Sequence, residues 1–159
     1  MIFITVGTQP QLFKRLFDEI VRLVENGTIM DDIVAQTGFN SVNSDKIKTF
    51  DFIPSQQLLE YVNKADLIVS HGGTGSIIPA LKLGKKVIGI PRLSKFGEHI
   101  NDHQMDLINQ LSAEGFIIPI YDIKELGPKI IESINFVPKK FVSGQSEIIS
   151  KISEFINNN

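Results

Sequence analysis

Leu67-Ile68-Val69-Ser70-His71-Gly72-Gly73-Thr74-Gly75-Ser76 is the stretch on which the fold turns: an apolar run passes through three glycines into a helix start. The run is short and continuously apolar, as a strand covered on both faces is. Glycines let backbone amides approach a ligand closely, and a helix beginning near Ser76 presents unpaired N–H groups at the positive end of its dipole. A phosphate or diphosphate is the natural guest of such a turn; a glycine-rich turn with Ser76 as helix cap is the plain alternative. Both common nucleotide motifs fail here. No Lys follows Gly75, as a Walker loop requires, and Ile78 stands where a dinucleotide fingerprint needs its third glycine.

Outward from this turn, short β-branched runs alternate with longer amphipathic segments, the signature of βαβ units in a parallel sheet. The pattern predicts strands at Ile2–Val6, Ile33–Gln36, Ile47–Phe50, Leu67–Ser70, Val87–Ile90 and Phe116–Ile120. It predicts helices near Gln11–Glu25, Ser55–Asn63, Ser76–Leu83, Asn101–Leu111 and Ile123–Ser133, with a last helix over about Gln145–Ile156. Leu12, Leu16, Ile20, Leu23 and Val24 recur at helical spacing and are expected to form one buried face. The expected architecture is α/β: a single Rossmann-like domain over residues 1–156 with a parallel sheet of about six strands, followed by a frayed polar end, Asn157-Asn158-Asn159. Such sheets bind ligands at the carboxyl ends of their strands, so chemistry is expected in the loops after Val6, Ser70 and Ile90. Thr8, following Gly7, faces the same crevice as a donor to the ligand or serves as an N-cap.

Composition narrows the function classes. The chain has 159 residues, 42% hydrophobic and 21% charged, and a domain of this size buries roughly 68–70% of its unfolded surface. Sixteen Lys and Arg against eighteen Asp and Glu give a net charge of −2, which provides no overall positive field for nucleic acid. With no cysteine, thiol nucleophiles, disulfides and Cys-ligated metal sites are excluded. The opening Met1-Ile2-Phe3-Ile4-Thr5-Val6-Gly7 lacks the basic region of a signal peptide, and no apolar stretch approaches the ~18–20 residues of a membrane span. A cytoplasmic protein is expected, with any membrane contact peripheral or through a partner.

A second crevice element follows the fifth strand, Pro91-Arg92-Leu93-Ser94-Lys95-Phe96-Gly97-Glu98-His99-Ile100-Asn101-Asp102-His103-Gln104. Lys82, Lys85, Lys86, Arg92 and Lys95 form a run of cations without an acid, which suits a diphosphate or anionic headgroups, or is simply a solvated basic face. His99 and His103 are four apart, which on a helix would align them, but no third metal ligand has recognisable spacing. His103 and Gln104 read better as hydrogen-bonding side chains for a polyhydroxylated ligand. No metal site is expected.

Taken together, Val6-Gly7-Thr8, Thr37-Gly38, Phe52-Ile53, Ala65–Ser76, Gly84-Lys85-Lys86 and His103-Gln104 resemble the carboxy-terminal, donor-binding domain of family 28 glycosyltransferases over nearly the whole chain. Within that group the sequence is similar to the small subunits of bipartite enzymes: the soluble half of the eukaryotic dolichol-linked N-acetylglucosamine transferase and, through Pro91-Arg92 and Phe96-Gly97-Glu98-His99, the bacterial capsule and exopolysaccharide subunits. The resemblance implies half of a GT-B enzyme that takes a UDP-sugar as donor substrate, needs no cofactor or metal, and transfers with inversion. It implies that Gly7, Thr8, Gly72, Gly73, Thr74, Gly75 and Ser76 hold the diphosphate, that Phe52 and Ile53 lie against uracil and ribose, and that His103 and Gln104 meet the sugar. A helix N-terminus can stabilise the charge growing on a departing UDP without a cation. The sequence departs from the family at Pro79, where many members carry a Glu for the ribose hydroxyls.

One Rossmann-like domain is half of a GT-B cleft, so a membrane-associated, acceptor-binding glycosyltransferase subunit is the expected partner, bringing a lipid-linked saccharide acceptor to the inner face of the plasma membrane. The catalytic base is not assigned; His71 and His99 are the candidates in this chain. The stripe Ile148, Ile149, Ile152, Phe155 and Ile156 either docks that partner or packs on its own sheet. The leading expectation is the catalytic donor-binding subunit of a two-component hexosyltransferase in capsular or exopolysaccharide biosynthesis. A non-catalytic stabilising or stimulating subunit is the second, a UDP-sugar epimerase or hydrolase the third, and a nicotinamide or ATP-binding domain the last.

Overall fold

A computed structural model describes residues 1–142. Six parallel strands, β1 (Ile2–Thr5), β2 (Ile33–Gln36), β3 (Ile47–Phe50), β4 (Leu67–His71), β5 (Lys86–Ile90) and β6 (Ile118–Pro119), form one sheet in the order β3-β2-β1-β4-β5-β6. The order reverses between β1 and β4, and the loops leaving their carboxyl ends splay apart there, opening a crevice. Helices α1 (Lys14–Glu25), α2 (Ser55–Lys64), α3 (Thr74–Lys82), α4 (His103–Ala113) and α5 (Leu126–Glu132) cover the two faces. Alternation along the strands divides the core: Ile2 and Ile4 pack with Leu16, Ile20 and Leu126, while Phe3 turns to the face of Val62, Ile77 and Ile108.

The strands at Ile33–Gln36 and Ile47–Phe50 form as the sequence predicts. Elsewhere local chemistry moves the ends. β6 is shorter than expected, only Ile118–Pro119, since Pro119 has no N–H to give the ladder. The first helix starts at Lys14 rather than Gln11, because the Phe13 N–H is held by Asn40 Oδ1 at 2.6 Å while the Asn40 side-chain amide donates to the Thr37 carbonyl at 2.7 Å. Leu12 therefore lies before the helix and is 52% exposed instead of buried; Phe13 and Phe17 fill the face in its place. α4 starts at His103 rather than Asn101, behind an Asn101 side chain that accepts from the His103 N–H at 3.3 Å. His99 is consequently off the helix, and the same-face argument for a His99–His103 pair fails. The helix expected over Gln145–Ile156 and the polar end at 157–159 lie outside the described residues.

The basic run also disperses. Lys85 Nζ donates to the carbonyls of Asn63 and Ala65, and Lys86 Nζ to those of Ser133 and Ile134, at the amino ends of the strands and away from the crevice. Arg92 is fully buried, its guanidinium donating to Val6 O (2.9 Å), Gln11 O (2.5 Å) and Glu98 O (3.2 Å). It braces the loop after β1 against the loop after β5, and is not a surface cation waiting for an anion.

Candidate functional site

At the carboxyl ends of the central strands the apolar pattern breaks in one register. Gln36, Thr5, Ser70 and Gly89 are paired neighbours across β2, β1, β4 and β5. They form a polar row on the face covered by α2, α3 and α4. Ser70 Oγ is 2.9 Å from Ser76 Oγ, which anchors the start of α3 to this row. Thr5 Oγ1 and Gln36 Oε1 are buried and have no hydrogen-bond partner, an arrangement that normally costs free energy unless a guest supplies one.

Above the row lies a crevice of about 470 Å³, lined by Thr5, Gly7, Gln36, Ile53, His71 and Gly75 together with Thr8, Gln9, Ser55, Leu58, Leu59, Ser76 and Pro79. A second hollow of about 350 Å³ adjoins it, lined by Gln9, Gly72, Gly73, Thr74, Ile100, Asn101 and Leu107 with His99, His103 and Gln104. Gln9 lines both, so the two hollows flank the glycine turn and the start of α3. Volumes of this order suit a small organic ligand. The turn offers the first-turn amides of α3: the N–H groups of Ser76 and Ile77 already reach the Gly73 carbonyl at 3.3 and 3.2 Å, while those of Thr74 and Gly75 come too early in the helix for an intrahelical acceptor. No side chain caps this helix.

The glycines of the site differ in kind. A Cβ on Gly75 would meet nothing within 4 Å, so this position is open toward the crevice. A Cβ on Gly72 would come within 2.4 Å of Gln104 Cβ and 2.9 Å of its carbonyl oxygen, which makes Gly72 a packing glycine against α4. Gly7, at φ +70°, and Gly73 both lie against the ring of His71.

His71, one of the two candidate bases, is 7% exposed. Its Nδ1 lies 3.4 Å from the Thr5 carbonyl oxygen. Burial, and then the nearby charge of Arg92, push its pKa down to about 4, with the Thr5 carbonyl partly opposing. The imidazole is therefore neutral at physiological pH, and its conjugate acid is too strong for a good general base at that pH. His99, the other candidate, is half-buried in the loop before α4 and accepts the Asn101 N–H on Nδ1 at 3.3 Å.

The remaining expected residues fall unevenly. Ile53 lines the crevice, but Phe52 does not; its ring stands edge-on to Phe39, centroids 5.3 Å apart. His103 is exposed at the rim of the second hollow, with Asp106 Oδ2 at 4.0 Å from Nδ1. Gln104 has half of its amide committed, since Oε1 accepts the Arg92 N–H at 3.0 Å, which leaves the NH₂ for a ligand. Pro79 lines the crevice within α3. Thr5, Gln9, Gln36 and Ser55 were missed from the sequence. A signal for two of them exists: Ile2–Thr5, Ile33–Gln36 and Leu67–Ser70 are apolar runs that each close on one small or amide polar residue.

Comparison with known proteins bears on the fold and the family. The family model described as the glycosyltransferase family 28 C-terminal domain matches residues 1–139. The UDP-N-acetylglucosamine transferase subunit ALG13 of Candida albicans is 32% identical over 108 residues, 68% of this chain, and the chain spans about a third (35%) of that relative's length. The solution structure of ALG13 superposes with a TM-score of 0.62 at 21% identity, over 98% of this chain and 96% of that one. MurG of Acinetobacter baumannii gives 0.59 at 16% identity, over 83% of this chain and 41% of its own, so the fold corresponds to one half of a GT-B enzyme. These relatives do not support the expected leaning toward the bacterial capsule and exopolysaccharide subunits; ALG13 is a subunit of a UDP-N-acetylglucosamine transferase. With the family model covering the chain from its first residue to the turn beyond α5, this protein belongs to glycosyltransferase family 28, as its C-terminal domain.

Proposed function

We propose that this chain binds the UDP-sugar donor for an inverting, metal-independent glycosyl transfer, and that a membrane-associated subunit completes the cleft and brings a lipid-linked saccharide acceptor. The observation that carries the reading is the uncapped start of α3, with the Thr74 and Gly75 amides free for an anion and open space at Gly75 between two hollows. The diphosphate sits on those amides, where the helix dipole stabilises the charge that grows as UDP departs. The nucleoside lies over the polar row between Ile53, Leu58 and Pro79. The sugar enters the second hollow toward His103 and the Gln104 NH₂. Ser55 and the backbone near Ile53 are the groups available to ribose hydroxyls where Pro79 replaces a carboxylate.

The base for the acceptor hydroxyl comes from the partner, because His71 is too weakly basic and His99 has its Nδ1 lone pair engaged by the Asn101 N–H. That same weakness favours a second reading, in which the chain stabilises or stimulates a transferase without catalysing. The name of the relatives makes UDP-N-acetylglucosamine the first donor to test. Calorimetric titration of the chain with UDP and UDP-N-acetylglucosamine in EDTA tests the donor site: binding in the micromolar to millimolar range is expected, and its absence both alone and with the partner present refutes the reading. Transfer by the reconstituted pair, lowered in donor kcat/KM by roughly 100-fold by Gly75→Asp in this chain, separates catalysis from stimulation. The identity of the lipid-linked saccharide consumed then decides which class of glycan the pair builds.

A further inference from the structure

His71 ends β4, and its ring crosses toward β1, where Nδ1 meets the Thr5 carbonyl. A Cβ on Gly73 would lie 2.2 Å from His71 Nε2 and 2.8 Å from Cε1; one on Gly7 would lie 2.8 Å from both atoms. Real Cβ atoms essentially never come so near, so the Cε1–Nε2 edge of the ring is clasped between two glycine backbones. One of them leads into the loop Gly7-Thr8-Gln9, the other into the start of α3, and both line the crevice. The ring is held by the Thr5 carbonyl on one side and by its own backbone in β4 on the other, and it cannot swing aside without breaking that contact.

We infer that His71 is a positioning residue: its imidazole is the spacer that holds the Gly7 loop and the Gly73 turn at the separation the ligand requires, and glycine stands at 73 because the ring occupies the place of a side chain. The inference rests on the donor-site reading for the identity of the ligand, and on geometry alone for the spacing. Gly72 supplies an internal control. What a Cβ there would strike is Gln104, including its backbone oxygen, and nothing done to His71 relieves that clash.

The test uses the full chain with Gly73→Ala, His71→Ala, the double variant, His71→Asn, and Gly72→Ala in both backgrounds, reading thermal midpoint and UDP affinity. Overpacking by one methyl against a fixed ring is expected to lower the Tm of Gly73→Ala by roughly 3–10 °C. The same Ala added to His71→Ala is expected to cost less than about 2 °C, whereas Gly72→Ala costs the same in both backgrounds. Should Gly73→Ala alone fail to fold, cooperative unfolding of the double variant counts as the same rescue. His71→Ala is expected to weaken UDP by about tenfold, and His71→Asn, which keeps a donor for Thr5 but is narrower, to weaken it as much. Equal cost of Gly73→Ala in both backgrounds overturns the spacer, as does wild-type affinity in His71→Ala or full recovery in His71→Asn. A wild-type chain that binds no UDP overturns the donor reading instead, and the thermal cycle then decides the spacer by itself.

Discussion

Replacing Gly75 by Asp sets stability and binding against each other. The position is in the first turn of α3, faces solvent, and has no atom within 4 Å of a built Cβ, so a side chain displaces nothing in the protein. Removing a glycine from a helix restricts the unfolded chain and is worth about 0.5–1 kcal/mol. An acidic side chain near a helix N-terminus adds about 0.3–1 kcal/mol. The variant is therefore expected to melt at or roughly 2–5 °C above the wild type. Binding moves the other way. A carboxylate ~5 Å from a diphosphate, at the effective dielectric of a protein surface, repels each unit of its charge by about 3 kcal/mol, which is at least roughly 150-fold in Kd. Because the pair is exposed, the penalty shrinks as salt is raised. Gly75→Ala separates charge from bulk: the same gain in Tm, with a smaller loss of affinity from crowding alone. Calorimetry with UDP beside differential scanning calorimetry reads both quantities. UDP bound by Gly75→Asp with wild-type affinity would remove the diphosphate from the α3 N-terminus, and a Tm lowered by more than about 5 °C would contradict the open space at this position.

Three more outcomes follow from the same geometry. His71 has its folded pKa depressed to about 4 from an ordinary 6.5, so the unfolded chain binds the extra proton first; stability is intact above pH 6.5, falls between 6.5 and 4, and levels below, by up to about 3 kcal/mol. Urea unfolding across that window is expected to show the slope in the wild type and a flatter line in His71→Asn; parallel lines exclude the buried neutral imidazole. Gln104→Glu keeps an oxygen for the Arg92 N–H but exchanges the NH₂ for a negative oxygen beside the glycine turn, so it is expected to leave Tm near wild type, to weaken UDP by repulsion, and to weaken UDP-N-acetylglucosamine by about tenfold more than UDP. Equal loss for both ligands would take Gln104 out of sugar recognition. Arg92→Met leaves the carbonyls of Val6 and Gln11 without their donor and is expected to cost about 3–5 kcal/mol in urea unfolding. A loss below about 1 kcal/mol would show that Arg92 does not brace the two loops.

How much the sequence disclosed depended on whether the relevant physics was local. Strands β2 and β3 were legible to the residue, because β-branched runs bounded by polar residues carry their own limits. The start of α1 was not, since it is set by Asn40, a side chain 27 positions away that takes the Phe13 N–H. Arg92 reads in sequence as one more cation in a basic loop. Its burial depends on carbonyls from the loop after β1 and on Glu98, which Arg15 meanwhile holds at 2.8 Å, and no window along the chain contains that arrangement. The glycine turn was visible as a phosphate cradle, but the division of labour within it was not. Gly72 and Gly73 are glycines for their neighbours Gln104 and His71, and only Gly75 opens on the crevice. Phe52 failed for a similar reason: an exposed aromatic next to a crevice loop finds Phe39, which the sequence places thirteen residues earlier.

The strand order also bears on how the molecule comes together. β1 pairs with β2 through a short excursion, but its other edge waits for β4, Ile2 meeting Leu67 about 65 residues downstream. The crevice straddles that late seam, with Thr5 and Gly7 on one bank and His71 and Gly75 on the other. The chain thus divides at the loop between β3 and α2 into two pieces, each with strands and at least one helix of its own, and the crevice is whole in neither. Expressed as separate fragments, they would meet along the β1–β4 ladder, the Arg92 brace and the core face beneath α1, and a nucleotide spanning the join would act as a glue, turning reassembly into a readout of its concentration.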